Sequence, residues 1–158
     1  MMKMLKVLGA VVVCLVLALL VLRVIGLDPH ERIPGLWLKG DLNTTPIADW
    51  SFTDQFKTVK VQTNSWYLLP HSVTTFCIAY NGQLYLATTR TDLKQWSRNV
   101  ARDPHVRVKI GDRLYAGTLS VVTDPAEREG VLQARAKKYA QKYPPPGPPF
   151  TVYHVIPG

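Results

Sequence analysis

A chain of 158 residues, 47% hydrophobic and carrying a formal charge of +8, has room for one domain plus one additional element. Its two cysteines cannot build a disulfide framework, a composition that fits either an oxidising or a reducing compartment. Nineteen basic residues against eleven acidic ones point to anionic partners. Nucleic acid is disfavoured because no recognised binding module is present, which leaves an anionic cofactor or anionic lipid head groups.

The additional element is N-terminal. Val7–Leu22 is uncharged and flanked by Lys6 and Arg23, and Val24–Leu27 continues apolar. Both flanking cations can snorkel, so the run suffices for a single-pass membrane helix. The rival reading is a cleaved signal peptide with Lys3 and Lys6 as its basic start; the run is long for that, and no small-x-small site follows Leu22. Positive charge on the two sides is nearly balanced. A short amino terminus left inside would place the following domain on the extracytoplasmic side of a bacterial inner membrane.

Residues 28–52 form a polar, Pro- and Gly-punctuated lead-out in which Trp37 and Trp50 suit either the membrane interface or packing on the domain. Thr53–Thr63 reads as a first strand with Val59 and Val61 on one face, and Asn64–Pro70 as a loop. Val73–Tyr80 and Gln83–Thr89 flank Asn81-Gly82, a dipeptide suited to the positive φ that a two-residue type I′ turn demands. That turn pairs Tyr80 with Gln83, Ala79 with Leu84, Ile78 with Tyr85, Cys77 with Leu86 and Phe76 with Ala87. Both faces of this hairpin are apolar, so both must be covered, one by a barrel interior and the other by a helix or a second subunit.

Asp92–Arg102 is helical by period, with Leu93, Trp96 and Val100 as the apolar stripe and Lys94, Arg98 and Arg102 as a cationic one; Thr91 or Asp92 can cap its start. Val106–Ile110 and Leu114–Val122 form a second hairpin around Gly111-Asp112, with Val106, Val108 and Ile110 on one face. Asp124-Pro125-x-Glu127 is an N-cap, a proline at the first position and an acidic third residue, so a helix starts there. Leu132, Ala136, Tyr139, Ala140 and Tyr143 are its predicted buried stripe. Pro144–Pro149 is a stiff connector, and Thr151–Ile156 a last strand.

The chemistry concentrates after the first hairpin. Thr88, Thr89, Arg90 and Thr91, followed by a helix start and Lys94, combine hydroxyls, cations and free backbone N–H groups, a set that suits a phosphate. Ordinary capping threonines and a solvated lysine would look the same in sequence. His30, His71, His105 and His154 have no metal-ligand spacing, no metal site is expected, and no nucleophile context or Cys–His pair is visible; Cys77 reads as a small buried hydrophobe. No catalytic residue can be named.

The order of strand, Asn81-Gly82 hairpin, short helix, Asp103-Pro104, hairpin, helix and last strand, with Trp96-x-x-Asn99-Val100-x-x-x-Pro104-x-Val106, resembles the pyridoxamine 5′-phosphate oxidase-like, FMN-binding split β-barrel superfamily. It is similar especially to the deazaflavin-dependent nitroreductase branch and uncharacterised relatives, from about Thr53 to Tyr143. The resemblance implies an α+β fold, mainly β: a membrane anchor (1–27), a lead-out (28–52) and a split barrel of about six antiparallel strands with two or three helices (53–158). It implies a homodimer, FMN or a deazaflavin as cofactor, its phosphate at Thr88, Thr89, Arg90, Thr91 and Lys94, and oxidoreductase chemistry on a small organic substrate. Thr89-Arg90-x-x-x-Lys94 replaces the Ser-Arg-Lys type of grip only in part. A non-catalytic barrel binding a ligand, lipid or protein at the membrane surface is the alternative, and a haem-binding barrel using His71, His105 or His154 the third.

Overall fold

The computed structural model describes all residues, 1–158. Helix α1 (Met2–Ile25) buries none of its side chains and is long and apolar enough to cross a membrane, a test that a signal sequence also passes. At 1.5 Å per residue it is about 36 Å long. The rest of the chain is built of strands β1 (Asp41–Leu42), β2 (Thr58–Asn64), β3 (Pro70–Tyr80), β4 (Gln83–Thr89), β5 (His105–Ile110), β6 (Arg113–Val121) and β7 (Phe150–Pro157), with helices α2 (Gln95–Arg102) and α3 (Pro125–Lys138). Strands lie in the order β6-β5-β2-β3-β4-β7, and β7 also pairs with β6, closing a six-stranded antiparallel barrel; β1 adds a short parallel edge to β6. Closure removes most of the exposed edges of an open sheet.

Alternation along the strands fills the interior. Val59, Val61, Cys77, Leu84, Leu86, Val108 and Val155 meet there at 2% exposure or less. Trp50 closes the end nearest the Asn81-Gly82 turn: it is 1% exposed, its amide donates to Gly82 O at 2.9 Å, and its ring meets Tyr115 edge-on at 5.3 Å. Trp96 of α2 closes the far end against Tyr153 at 5.5 Å. The lead-out therefore packs on the barrel. Leu38 N–H donates to Gln62, Gly35 pairs with Ser72, and Asp28 accepts from Lys60 and Lys109.

The hairpin register holds at four of the five expected pairs, and Asn81 (φ 48°) and Gly82 (φ 72°) adopt the left-handed turn. The apolar outer face carries Ile78, Tyr85 and Ala87 beneath Val131 and Leu132 of α3, so a helix of the same chain covers it. The fifth pair, Phe76 with Ala87, does not form: the ladder stops at Cys77–Leu86. Beyond that point β3 stays with β2 while β4 stays with β7, and the barrel wall opens.

Three sequence boundaries shift. A 3₁₀ turn (Ser51–Gln55) precedes β2, so the first strand starts at Thr58 rather than Thr53. The helix expected from Asp92 is broken: Arg90 is left-handed (φ 52°), Thr91–Leu93 is a single 3₁₀ turn, and Lys94 is extended, so α2 begins at Gln95 with neither Thr91 nor Asp92 as its cap. Leu93 is thereby turned out, 68% exposed, while Trp96 and Val100 are buried. Helix α3 starts as expected, with Asp124 accepting from Glu127 N–H at 2.7 Å. It ends at Lys138, because Tyr139 and left-handed Ala140 (φ 49°) leave the helical path. Its buried face is Val131, Leu132, Arg135 and Ala136, and Ala140 and Tyr143 are exposed.

Candidate functional site

The opening between β3 and β4 is the candidate site. Where the two strands part lies a cleft of about 790 Å³, walled by Val73–Phe76, by Ala87–Thr89 and by Phe150, with Lys94, Gln95 and Trp96 at one side and Arg135 at another. Residues 31–34 of the lead-out form its lip. Ser72 exchanges both backbone bonds with Gly35, and Ile78 lies opposite Tyr85. Thr74, of the same strand parity, therefore directs its backbone N–H and C=O to that side, where no strand stands opposite. Its hydroxyl is buried without a partner. Unmatched buried polar groups are few in folded chains, and this one faces the opening.

Alternation sorts the lining into two faces. Leu84 and Leu86 point into the barrel, so Thr88 points inward as well, 6% exposed, beside Trp96. Ala87 and Thr89 point to the outer face with Phe150, which is paired to Thr89. Lys94 Nζ donates to Thr88 Oγ1, which brings the ammonium to the inner side of the opening. No carboxylate pairs with Lys94; burial, and then the charge of Arg90, lower its pKa.

Of the five residues that the sequence singled out, Thr88, Thr89 and Lys94 line the cleft together. Arg90 and Thr91 do not; the left-handed turn carries the exposed Arg90 side chain away from the lining, although its charge is felt at Lys94. The free amides at the start of α2 belong to the turn beginning at Gln95, and Gln95 and Trp96 are in the wall. His71 is the one histidine in the lining, and burial holds its pKa below the ordinary value. His105 is exposed beside Asp103 at 2.7 Å, and His154 stacks on Tyr85 outside the cleft. Cys77 is fully buried in the barrel and its thiol is pushed up by burial, in keeping with a packing role.

Arg135 was not singled out from sequence. It is 7% exposed on the buried face of α3, its guanidinium stacked on the Phe150 ring at 4.2 Å. Desolvation lowers its pKa, and no acidic residue pairs with it. Its position was readable: residue 135 falls three beyond Leu132 and one before Ala136, inside the apolar stripe.

No family model matches the chain, and no curated protein matches it either. Solved structures do. A candidate pyridoxamine 5′-phosphate oxidase from Listeria innocua superposes with a TM-score of 0.54 at 18% identity, covering 68% of this chain and 88% of that one. A candidate 5-nitroimidazole antibiotic resistance protein from Bacteroides thetaiotaomicron gives 0.55 at 15% identity, covering 81% and 89%. The haem storage protein HutZ from Vibrio cholerae gives 0.52 at 14% identity, covering 68% and 86%. Agreement at such low identity establishes architecture: the chain has the split β-barrel fold of pyridoxamine 5′-phosphate oxidase-like proteins.

Proposed function

We propose that the protein is a flavin- or deazaflavin-dependent oxidoreductase acting on a small organic substrate, held to a membrane by α1. The observation that carries this reading is Lys94, a half-buried cation without a carboxylate partner, bonded to Thr88 where the barrel wall opens. Thr88 and Lys94 would hold the phosphate of FMN or of a deazaflavin, with Thr89 beside them on the outer face of the opening. Hydroxyls and an ammonium supply the donors such a group accepts, and the donor set fits it. The unpartnered Thr74 hydroxyl and the Thr74 backbone add polar edges for a flat heterocycle, and Trp96 and Phe76 add apolar surface. When bound, the ring itself supplies hydride or electron transfer. The chain then has to bind, orient and exclude water, which is compatible with the absence of an evident acid–base pair.

The test is absorption and thermal unfolding of the full chain in detergent. A bound chromophore, or a rise in melting temperature with added FMN or deazaflavin, supports the reading. Protein that is colourless and unshifted by either overturns it. In that event the alternative is a non-catalytic barrel that binds a ligand, lipid or protein at the membrane surface; a haem-binding barrel is the third reading, for which His71 lies in the lining with its pKa held down by burial, and it is read as a Soret band on reconstitution. For the membrane side we propose extracytoplasmic placement of the barrel, checked by protease accessibility in spheroplasts. For assembly we propose a homodimer, supported by the exposed Trp66 and Leu68 at 79% and 101% and checked by light scattering.

A further inference from the structure

We propose that Arg135 forms a second anion-binding point in the cleft, and that it takes the carboxylate of a planar, aromatic or unsaturated acid. This rests on the oxidoreductase reading only in making that acid the substrate; the carboxylate site stands on Arg135 itself.

The argument begins with charge. An arginine cannot shed its proton in a protein, and burying an ionised group without a countercharge is costly. Arg135 is more than nine-tenths buried, yet no aspartate or glutamate pairs with it. Glu31 is the only acidic residue in the cleft lining, and it sits exposed on the lip. The chain offers it the Phe150 ring at 4.2 Å, the Tyr139 ring at 6.0 Å and the Gln141 side-chain carbonyl, but no anion, which leaves a full countercharge for a ligand to supply.

The geometry then selects the ligand. One face of the guanidinium is taken by the Phe150 ring, and Nη1 donates to Gln141 Oε1 at 2.6 Å. What remains is the Nε–Nη2 edge. Nε is buried with no acceptor, and Nη2 makes no bond within the chain. That edge presents two parallel N–H groups in one plane, the arrangement that a carboxylate meets with two bonds at once. The stacking partner and Gln141 hold the guanidinium still, so little side-chain freedom is left to lose on binding. Phe76 and Phe150, both in the lining, give a flat acid apolar surface beside its carboxylate.

Strand parity separates this point from the phosphate position. Thr88 and Lys94 belong to the barrel side of the opening, whereas Phe150, Thr89 and Arg135 belong to the side under α3. Two uncompensated cations on two sides of one opening suit two anions, a cofactor phosphate and a substrate carboxylate.

The experiment uses the full chain in detergent, with benzoate and FMN titrated separately and melting temperature as readout. For the wild type we expect benzoate to raise the melting temperature. Arg135→Gln should weaken benzoate at least tenfold and leave FMN within about twofold, whereas Lys94→Met should do the reverse. Loss of the Gln141 bond will shift the ligand-free melting temperature, so the ligand-induced increment is what is read. Should Arg135→Gln fail to fold, Arg135→Lys keeps the charge without the fork and should weaken benzoate several-fold. Benzoate that shifts nothing in the wild type, or that binds every variant alike, overturns the proposal while leaving the FMN result intact. So does an equal loss of both ligands in Arg135→Gln, which would mean a single shared point. An absent effect of FMN and of a deazaflavin alike, with the benzoate pattern as expected, overturns the cofactor reading instead.

Discussion

Replacing Lys94 by methionine separates a binding role from a structural one, because the first predicts almost no change in the ligand-free protein and the second a clear loss of stability. Methionine keeps the length of the stem and removes the ammonium. In the free protein the ammonium bonds to the Thr88 hydroxyl, and burial and Arg90 both work against its charge. A hydrogen bond to a charged group contributes about 1.5–3 kcal/mol, and desolvation of a half-buried ion without a carboxylate offsets most of that. We therefore expect Lys94→Met to change unfolding free energy by less than about 1 kcal/mol. For a bound phosphate the same substitution removes a charge-assisted bond, again about 1.5–3 kcal/mol, which is about ten- to a hundred-fold in Kd. Urea unfolding measures the first quantity and quenching of FMN fluorescence the second. A variant that unfolds about 3 kcal/mol more easily, or that binds FMN as the wild type does, refutes the reasoning.

Two further outcomes test the frame around the site. Val131 is fully buried between α3 and the outer face of β4, so Val131→Ala should cost about 2 kcal/mol by chemical denaturation, from two lost methyl groups and the space they leave. Asp28 loses to burial but gains more from Lys109, the Lys39 amide and Lys60, which together hold its carboxyl below the ordinary range. Its folded pKa being depressed, its contribution is fully present above the unfolded value near 3.9 and is lost as pH falls through the lower folded value. Asp28→Asn should flatten that acid limb of the stability–pH curve; an unchanged limb would mean that the lysine contacts contribute nothing.

Much of this architecture was legible in local rules, and the failures have identifiable causes. The Asn81-Gly82 turn fixed a register because positive φ at two successive residues admits few alternatives. The Asp124 cap and Pro125 placed the start of α3 for similarly local reasons. The break at Arg90–Lys94 was not readable: 3.6-residue periodicity continues through Leu93, Trp96 and Val100, whereas the chain has to turn out of β4 before a helix can begin. Thr88, Thr89 and Lys94 were legible as a cluster because they lie close along the chain. Arg135 and Phe150 were not, since only the barrel's closure brings them to Thr89 from 46 and 61 residues away.

The missing fifth pair of the hairpin connects these observations. Nothing in Phe76 or Ala87 forbids pairing, so the parting of β3 from β4 comes from their neighbours. The Tyr139 hydroxyl, just past the end of α3, accepts from Cys77 N–H at 3.2 Å and lies 2.7 Å from Cys77 O and 2.6 Å from Lys57 O, on the side of β3 where β2 begins. Its ring meets Phe76 edge-on at 4.9 Å. Lys138 reaches back to Thr53 O at 3.1 Å and Asp54 at 3.5 Å. The C-terminal turn of α3 thus holds β3 to the 3₁₀ turn before β2, while Arg128 donates to the Phe150 backbone carbonyl at 2.9 Å and Arg135 stacks on the Phe150 ring, tying α3 to β7. With β3 drawn one way and β4 following β7 the other, the wall opens between them. One helix therefore both parts the strands and delivers a guanidinium into the gap, so the geometry of the cleft and its charge are fixed together by how α3 seats.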